Sequence, residues 1–471
     1  MLYSTFPIVG RHWNRRGFLR QALGGIGALS LPNILRLRAE AATRPAPDDT
    51  SLILLWQDGG PSHFETFDPK PDAPAEYRGE LRAIPTTLPG VHFCEILPRL
   101  ARMAHQFTVI RSLHQASSHH VSGTHTFITG YYDTGQDPFS GPPPYPDLGA
   151  VIHRMRSGQE GRLPNYVALD KGLSRGGTAY LGRAYGPFAV DNDNDPSRPN
   201  FKVKNLQLQE GISAPRFRER MDLLGALDSM RREIDSAAQS GQMQDMDRFH
   251  QRAYNLLNSP AASRAFDFQR EEPRLRERYG LHVAGQQALL ARRLVEAGVS
   301  VVAVRFSPDG RGDGDRSGAG WDDHAVHGNI FQIMKRRGPQ FDQAVSALIE
   351  DLGNRGLDRR VLVVVAGEFG RTPKISYANT ELLPTVYGPG RDHWGAAGCA
   401  LVYGGGLRMG QVIGATNRRG EYPVQRPLKP QDLLATIYQH MGIDTRHEFL
   451  NFAGRPIPIL PYGEPIRELT G

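Results

Sequence analysis

Ser51-Leu52-Ile53-Leu54-Leu55-Trp56-Gln57-Asp58-Gly59-Gly60-Pro61 is a short, continuously apolar run that breaks at an aspartate into a glycine-proline turn. A strand covered on one face alternates apolar and polar residues, so an unbroken run predicts a strand covered on both faces and entering a tight turn. Similar short runs recur at 107–111, 165–169, 299–306, 360–366 and 399–403. Helical spacing lies between them, at 96–104, 216–236, 286–297, 340–352 and 431–441. This alternation predicts an α/β layer fold with a mostly parallel central sheet flanked by helices. The tract 213–297 carries no clear strand and is expected as a helical insertion capping one end of the sheet; 137–147 and 307–320 read as loops.

Composition removes several function classes. With 39% hydrophobic and 22% charged residues the chain is too apolar for a disordered protein, and no period of 20 to 50 residues marks a solenoid. The net charge of +7 invites a nucleic-acid reading, but residues 1–41 hold six arginines against Glu40, leaving only +2 for the remainder. No basic stripe interleaved with aromatics follows, so nucleic acid is excluded as a partner. Cys94 and Cys399 either pair once in an oxidising compartment or stay buried as thiols. Neither lies in a Cys-x-x-Cys, which excludes thiolate zinc and dithiol redox chemistry as main functions.

The opening segment reads as an address. Asn14-Arg15-Arg16-Gly17-Phe18-Leu19-Arg20 precedes a mildly apolar run at 21–35 and then Ala39-Glu40-Ala41, a small-x-small cleavage pattern. Residues 1–41 are therefore expected to be a twin-arginine export signal, with the export machinery as partner, the mature domain at 42–471 and a periplasmic or extracellular destination; the plainer alternative is a permanent amphipathic or membrane anchor. The apolar run is shorter than the roughly 20 residues that cross a bilayer, and no later run is longer, so no stable membrane span is expected.

Ligands in open α/β sheets bind beyond the carboxyl ends of the strands. Asp58 follows the first run, Glu368 follows Val361-Leu362-Val363-Val364-Val365-Ala366-Gly367, and Asp323 and His327 follow the run ending near Phe306. In Trp321-Asp322-Asp323-His324-Ala325-Val326-His327, one helical turn would bring Asp323 and His327 onto one face. The plainer alternative makes Asp323 a helix cap and His327 a solvated residue. Arg391-Asp392-His393-Trp394-Gly395 adds His393. Asp58, Asp323, His327, Glu368 and His393 are hard oxygen and imidazole donors suited to one or two divalent ions, Zn²⁺ or Mn²⁺ ahead of Ca²⁺ or Mg²⁺.

Further chemistry is offered by Ser117-Ser118-His119-His120-Val121-Ser122-Gly123-Thr124-His125-Thr126. Ser118, Ser122 and Thr124 are candidate hydroxyl nucleophiles, and His119 or His120 a metal ligand or general acid. Otherwise this is a capping serine followed by solvated histidines. Arg371 and Thr372 either face an oxyanion or, for the arginine, pair with a neighbouring acid. His63 is expected to support the first loop. Asp191-Asn192-Asp193-Asn194-Asp195 imitates a calcium loop but has Pro196 where glycine is required. Arg311-Gly312-Asp313 carries too little information to support adhesion.

Taken in order, Asp58 after the first strand, Asp-x-x-x-His, Gly-Glu-Phe-Gly and Asp-His-Trp resemble the alkaline phosphatase and sulfatase-like superfamily. More closely, the paired arginines, Gln-Asp-Gly-Gly-Pro-Ser-His, Trp-Asp-x-His, Gly-Glu-Phe-Gly-Arg-Thr-Pro and Asp-His-Trp resemble the secreted DUF1501 family over nearly the whole mature chain. The resemblance implies an alkaline phosphatase-like three-layer sandwich, with Asp323, His327 and His393 around one ion and Asp58 and Glu368 around a second. Two positions depart from the superfamily pattern. Glu368-Phe369 stands where hydrolytic members have Asp-His, and His120 occupies the nucleophile position, which disfavours a formylglycine sulfatase. The function implied is an exported metal-dependent hydrolase of phosphate or sulfate esters, small-molecule or polysaccharide. On that reading Ser118, His120, Ser122 and Arg371 are its catalytic candidates. The rival is a catalytically silent, metal-stabilised binding or structural protein of the same fold.

Overall fold

The structure, a computed structural model, describes residues 49–132, 143–158, 163–169, 173, 176–190, 195–199, 201–203, 216, 219, 260–308, 320–377 and 388–471. The expected export signal at 1–41, the Asp-Asn repeat at 191–194, the triplet 311–313 and most of 213–259 lie outside these residues.

All six expected strands form. Among the described residues the central sheet has eight: β1 (Ser51–Trp56), β2 (Thr108–Leu113), β3 (Tyr166–Leu169), β4 (Phe188–Val190), β5 (Val301–Arg305), β6 (Val361–Ala366), β7 (Gly398–Gly404) and β8 (Gln411–Ile413). Their order is β8-β2-β7-β6-β1-β5-β3-β4. Every neighbouring pair is parallel except those made by β7, which runs antiparallel to both β2 and β6. At the centre Leu54 sits between Val364 and Ala303.

The unbroken apolar runs are explained by two separate cores. Ile53, Leu55, Val363 and Val365 point into one, where they meet α3 (Val283–Glu296) and α4 (Ile330–Asn354) through Leu290, Leu294, Phe341 and Val345. Leu52, Leu54, Leu362 and Val364 point into the other, with α2 (Leu148–Met155) and α5 (Pro430–His440) contributing Ile152, Leu433 and Ile437. Successive side chains of a strand alternate faces, so both sets must be apolar when both faces are covered. The result is the expected three-layer α/β architecture. The described end of the 213–297 tract does not cap the sheet: α3 lies on its face, within the first core.

Two of the described helices of eight residues or more lacked a legible signal in the sequence, α1 (His120–Thr129) and α2. The first begins at a histidine and is nearly all buried, so it shows no polar stripe to mark its period. Among the described residues, no helix is long and apolar enough to cross a membrane. Both cysteines are free, and burial pushes the Cys94 thiol up to about 12.

Candidate metal centre

Because β1, β2, β5 and β6 are parallel, their carboxyl ends share one edge, where the segments after Trp56, Leu113, Arg305 and Ala366 meet. Reversed β7 contributes to that edge from its leading side, which brings in residues 393–397. A two-residue ladder, Gly370–Arg371 against His393–Trp394, fixes His393 opposite Arg371. The loops are tightly interlocked. Gly59 has φ +112° and a Cβ there would fall 2.6 Å from the Asp322 amide nitrogen, while the Asp58 carbonyl accepts from Trp321 N–H at 2.8 Å.

Four side chains converge: His120, Asp322, His324 and His393 each place a donor atom within 4.8 Å of all the others. Asp322 is the hub. Its Oδ1 lies 2.9 Å from His324 Nε2 and 3.0 Å from His393 Nε2, and its Oδ2 lies 3.4 Å from His120 Nε2. Each opposite ring nitrogen faces an oxygen acceptor. His120 Nδ1 pairs with Glu368 Oε1 at 2.7 Å, His324 Nδ1 with Asp392 Oδ1 at 2.8 Å, and His393 Nδ1 with the Ser118 carbonyl at 3.0 Å. These partners assign Nδ1 as the donor on each ring and turn Nε2 inward.

The charges follow from this packing. Burial alone would raise the Asp322 carboxyl, but hydrogen bonds from the three imidazoles and the Arg371 charge outweigh it and hold it far below the usual carboxylate range. Burial opposes a charged His120, yet bonding to Asp322 and Glu368 lifts it to about 9. His324 is raised against burial by Asp322 and Asp392, while burial lowers His393. Burial also raises Glu368, helped by the nearby Asp58 charge. Glu368 Oε1 is bonded to Gly59 N–H at 2.9 Å as well as to His120, but Oε2 is buried without a hydrogen-bond partner.

The geometry redistributes the residues expected from the sequence. His393 enters the convergent set, and His120 joins it as a ligand candidate. Glu368 stands behind His120. Asp323 and His327 do not converge, because 321–327 is not helical: Asp323 N–H reaches only Trp321 O and His324 N–H only Asp322 O, bonds of tight turns. Asp323 faces the interior and forms an ion pair of 2.6 Å with Arg337, each side chain only 1% exposed. His327 Nδ1 donates to the Asp322 carbonyl at 2.7 Å and so supports the segment. The side chains that do face the centre are Asp322 and His324. The signal for them was the Trp-Asp-x-His spacing, which a helical reading of the same residues passes over.

Asp58 is drawn aside by Arg305, Oδ2 to Nη2 2.6 Å, instead of standing bare for a second ion. Arg371 is fully buried and offers no open fork to an oxyanion. Its Nε donates to Gly60 O at 2.7 Å, Nη1 to Arg391 O at 3.1 Å, and Nη2 to Asp322 Oδ1 at 2.6 Å and to the Gly59 and Trp321 carbonyls. Thr372 Oγ1 accepts from Asp392 N–H, pinning the turn that carries His393. Ser118 Oγ accepts from Gly395 N–H at 2.8 Å; Ser122 is half-buried in the first turn of α1, and Thr124 is buried. His63 donates from Nε2 to Gly420 O at 3.0 Å and abuts Gly370, as expected of a loop support.

The family described as "Protein of unknown function (DUF1501)" matches residues 49–470. The chain belongs to the DUF1501 family. No curated protein matches it in sequence. Among solved structures, the chain is similar to Ps i-CgsB in complex with k-i-k-neocarrahexaose, with 13% identity over 84% of this chain and 72% of that one and a TM-score of 0.37. It is also similar to the lipoteichoic acid synthase LtaP from Listeria monocytogenes, with 12% identity, 85% and 74% coverage and a TM-score of 0.35. The phosphonate monoester hydrolase SpPMH from Silicibacter pomeroyi gives 12% identity, 89% and 76% coverage and a TM-score of 0.35.

One further group in this DUF1501 protein was missed by sequence reasoning. Arg391 is fully buried, grips Glu65 through Nε and Nη2 at 2.9–3.1 Å, and lies over the Phe64 ring at 4.2 Å. It anchors the strand that delivers Asp392 and His393. Phe369 walls the imidazoles, its ring centroid 5.3 Å from His120 and 4.7 Å from His393.

Proposed function

We propose that this DUF1501 protein is an exported metal-dependent hydrolase of phosphate or sulfate esters, with a divalent ion held by His120, Asp322, His324 and His393. One observation carries the reading: three imidazole Nε2 atoms converge on one carboxylate while every Nδ1 is tied to an oxygen acceptor. That arrangement orients imidazoles as ligands, and a set of three nitrogens and one carboxylate suits Zn²⁺ first and Mn²⁺ second. His324 Nε2 and His393 Nε2 stand 2.8 Å apart, a contact that needs either a proton or a cation between the lone pairs.

When bound, such an ion would supply electrophilic polarisation of an ester oxygen. The chain's own groups do the rest. Arg371 fixes Asp322, Glu368 and Asp392 orient His120 and His324, and Phe369 shields one side of the imidazoles from water. With Ser118 Oγ engaged by Gly395 and His120 turned to Asp322, we assign the attack to water instead of to a serine. Export rests on the paired-arginine segment before residue 42.

The silent, metal-stabilised alternative has one feature in its favour, the neutralisation of Asp58 by Arg305. Elemental analysis of protein purified without chelator, with turnover of aryl phosphate, phosphodiester and sulfate esters under added Zn²⁺ or Mn²⁺, separates the two. One bound ion with turnover is expected; a bound ion with no turnover on any ester favours the silent reading, and no bound ion overturns both.

A further inference from the structure

A cavity of about 410 Å³ opens beside the metal centre. The same two segments build both: Gln115 and Ala396 line the cavity, and Gln115 N–H bonds the Gly395 carbonyl at 2.8 Å, while Ser118 and His393, further along these segments, belong to the centre. Gln115 also donates from Nε2 to the Glu368 carbonyl, so it spans from one to the other. The volume falls within the roughly 300–1,000 Å³ of small-ligand sites.

The lining has a definite chemistry. Tyr132 and Tyr422 offer ring faces that are 44% and 53% exposed, and the wall is stiffened by prolines including Pro423 and Pro430. Among the described lining residues Lys429 is the one charged side chain and none is acidic; Asp432, outside the lining, accepts from the Lys429 backbone N–H at 2.8 Å. His114 donates from Nδ1 to the Leu428 carbonyl at 3.2 Å, and burial together with the Lys429 charge outweighs the opposing Asp432 charge and lowers its pKa, which favours the neutral ring with Nε2 as an acceptor. Beyond the cavity the aromatic surface continues, with the Tyr462 ring 6.2 Å from Tyr132 and itself 62% exposed. Exposed rings that carry a hydroxyl favour ligands with an apolar face and a polar rim, and a lysine as the one charged side chain among the described lining residues favours an anion.

We infer that this cavity binds a ring of an anionic saccharide, its pyranose face against Tyr132 and Tyr422 and its sulfate or phosphate toward Lys429. A second ring extends along Tyr462, which favours an oligosaccharide over a lone nucleotide. The inference rests on the ester-hydrolase reading for the link to turnover, but binding is measured without it.

Titration calorimetry with heparin and chondroitin 4-sulfate tetrasaccharides and their desulfated forms, with ATP as control, tests the proposal. The intact chain is expected to prefer the sulfated forms, Tyr422→Ala to weaken binding tenfold or more, and Lys429→Gln to abolish the preference for charge. Both side chains are exposed, so the variants fold. Asp322→Asn, which disables the metal centre, is expected to retain binding; if ester turnover is absent from the intact protein while these effects hold, the hydrolase reading falls and the saccharide site stands. Unchanged affinity in both Tyr422→Ala and Lys429→Gln, tighter binding of ATP than of any saccharide, or no binding of any sulfated form overturns it.

Discussion

Asp322 and Asp323, neighbours in the chain, face opposite surroundings: the first receives three imidazoles at the rim of the sheet, the second an arginine, Arg337, in the interior. Their substitutions should therefore separate loss of metal from loss of stability alone. Asp322→Asn is expected to lose the bound ion and, because the buried Arg371 then lacks its carboxylate partner, to unfold at lower urea as well. Asp323→Asn leaves Arg337 as an uncompensated buried charge and should cost about 3–5 kcal/mol. Elemental analysis and urea unfolding of both proteins check the pair; loss of metal in Asp323→Asn with normal stability would contradict the assignment.

Glu368 acts through His120. Glu368→Gln keeps an acceptor for the imidazole but removes the charge behind it, so metal affinity should fall about 10–100-fold, as for other groups that orient a ligating histidine. A competition assay with a coloured chelator measures this directly.

Arg371 is a clamp for three carbonyl-bearing loops and Asp322. Lysine cannot reproduce its fork, so Arg371→Lys should lower stability by about 2–4 kcal/mol through lost charge-assisted bonds. The Michaelis constant for an anionic ester should change little in the folded fraction. A large rise in that constant without destabilisation would return Arg371 to the substrate.

Acid should weaken the fold through His63. Burial lowers this imidazole from 6.5 to about 4, so the unfolded chain takes up a proton that the folded chain refuses. Its stabilising contribution is complete above pH 6.5 and is lost as the pH falls toward 4, about 3 kcal/mol in all. Unfolding of the intact chain and of His63→Gln across pH 4–7 should show a shallower acid dependence in the variant.

The sheet was legible because double burial writes itself as unbroken apolar runs: all of β1, β2, β3, β5, β6 and β7 were visible. The other two strands, Phe188–Val190 and Gln411–Ile413, are too short to stand out, and α1 hides its period by being nearly all buried. Strand ends pointed to the rim, and His393 with it. Periodicity misled at 321–327, where Asp323 and His327 match a helical spacing but the backbone turns tightly, fixed by Trp321 on Asp58 and by a glycine with φ +85° at 320. What Arg305, Arg337 and Arg371 would neutralise was not legible, since each partner is distant in the chain or hidden by a turn.

The reversed strand β7 has a bearing on how this molecule is made. It delivers His393 to the ends of strands laid down much earlier, the first of them finished at Trp56. A growing polypeptide therefore lacks one of the four convergent side chains until residue 393 has left the ribosome, so the set His120, Asp322, His324 and His393 can assemble only late in synthesis, as the reversed strand closes onto the sheet.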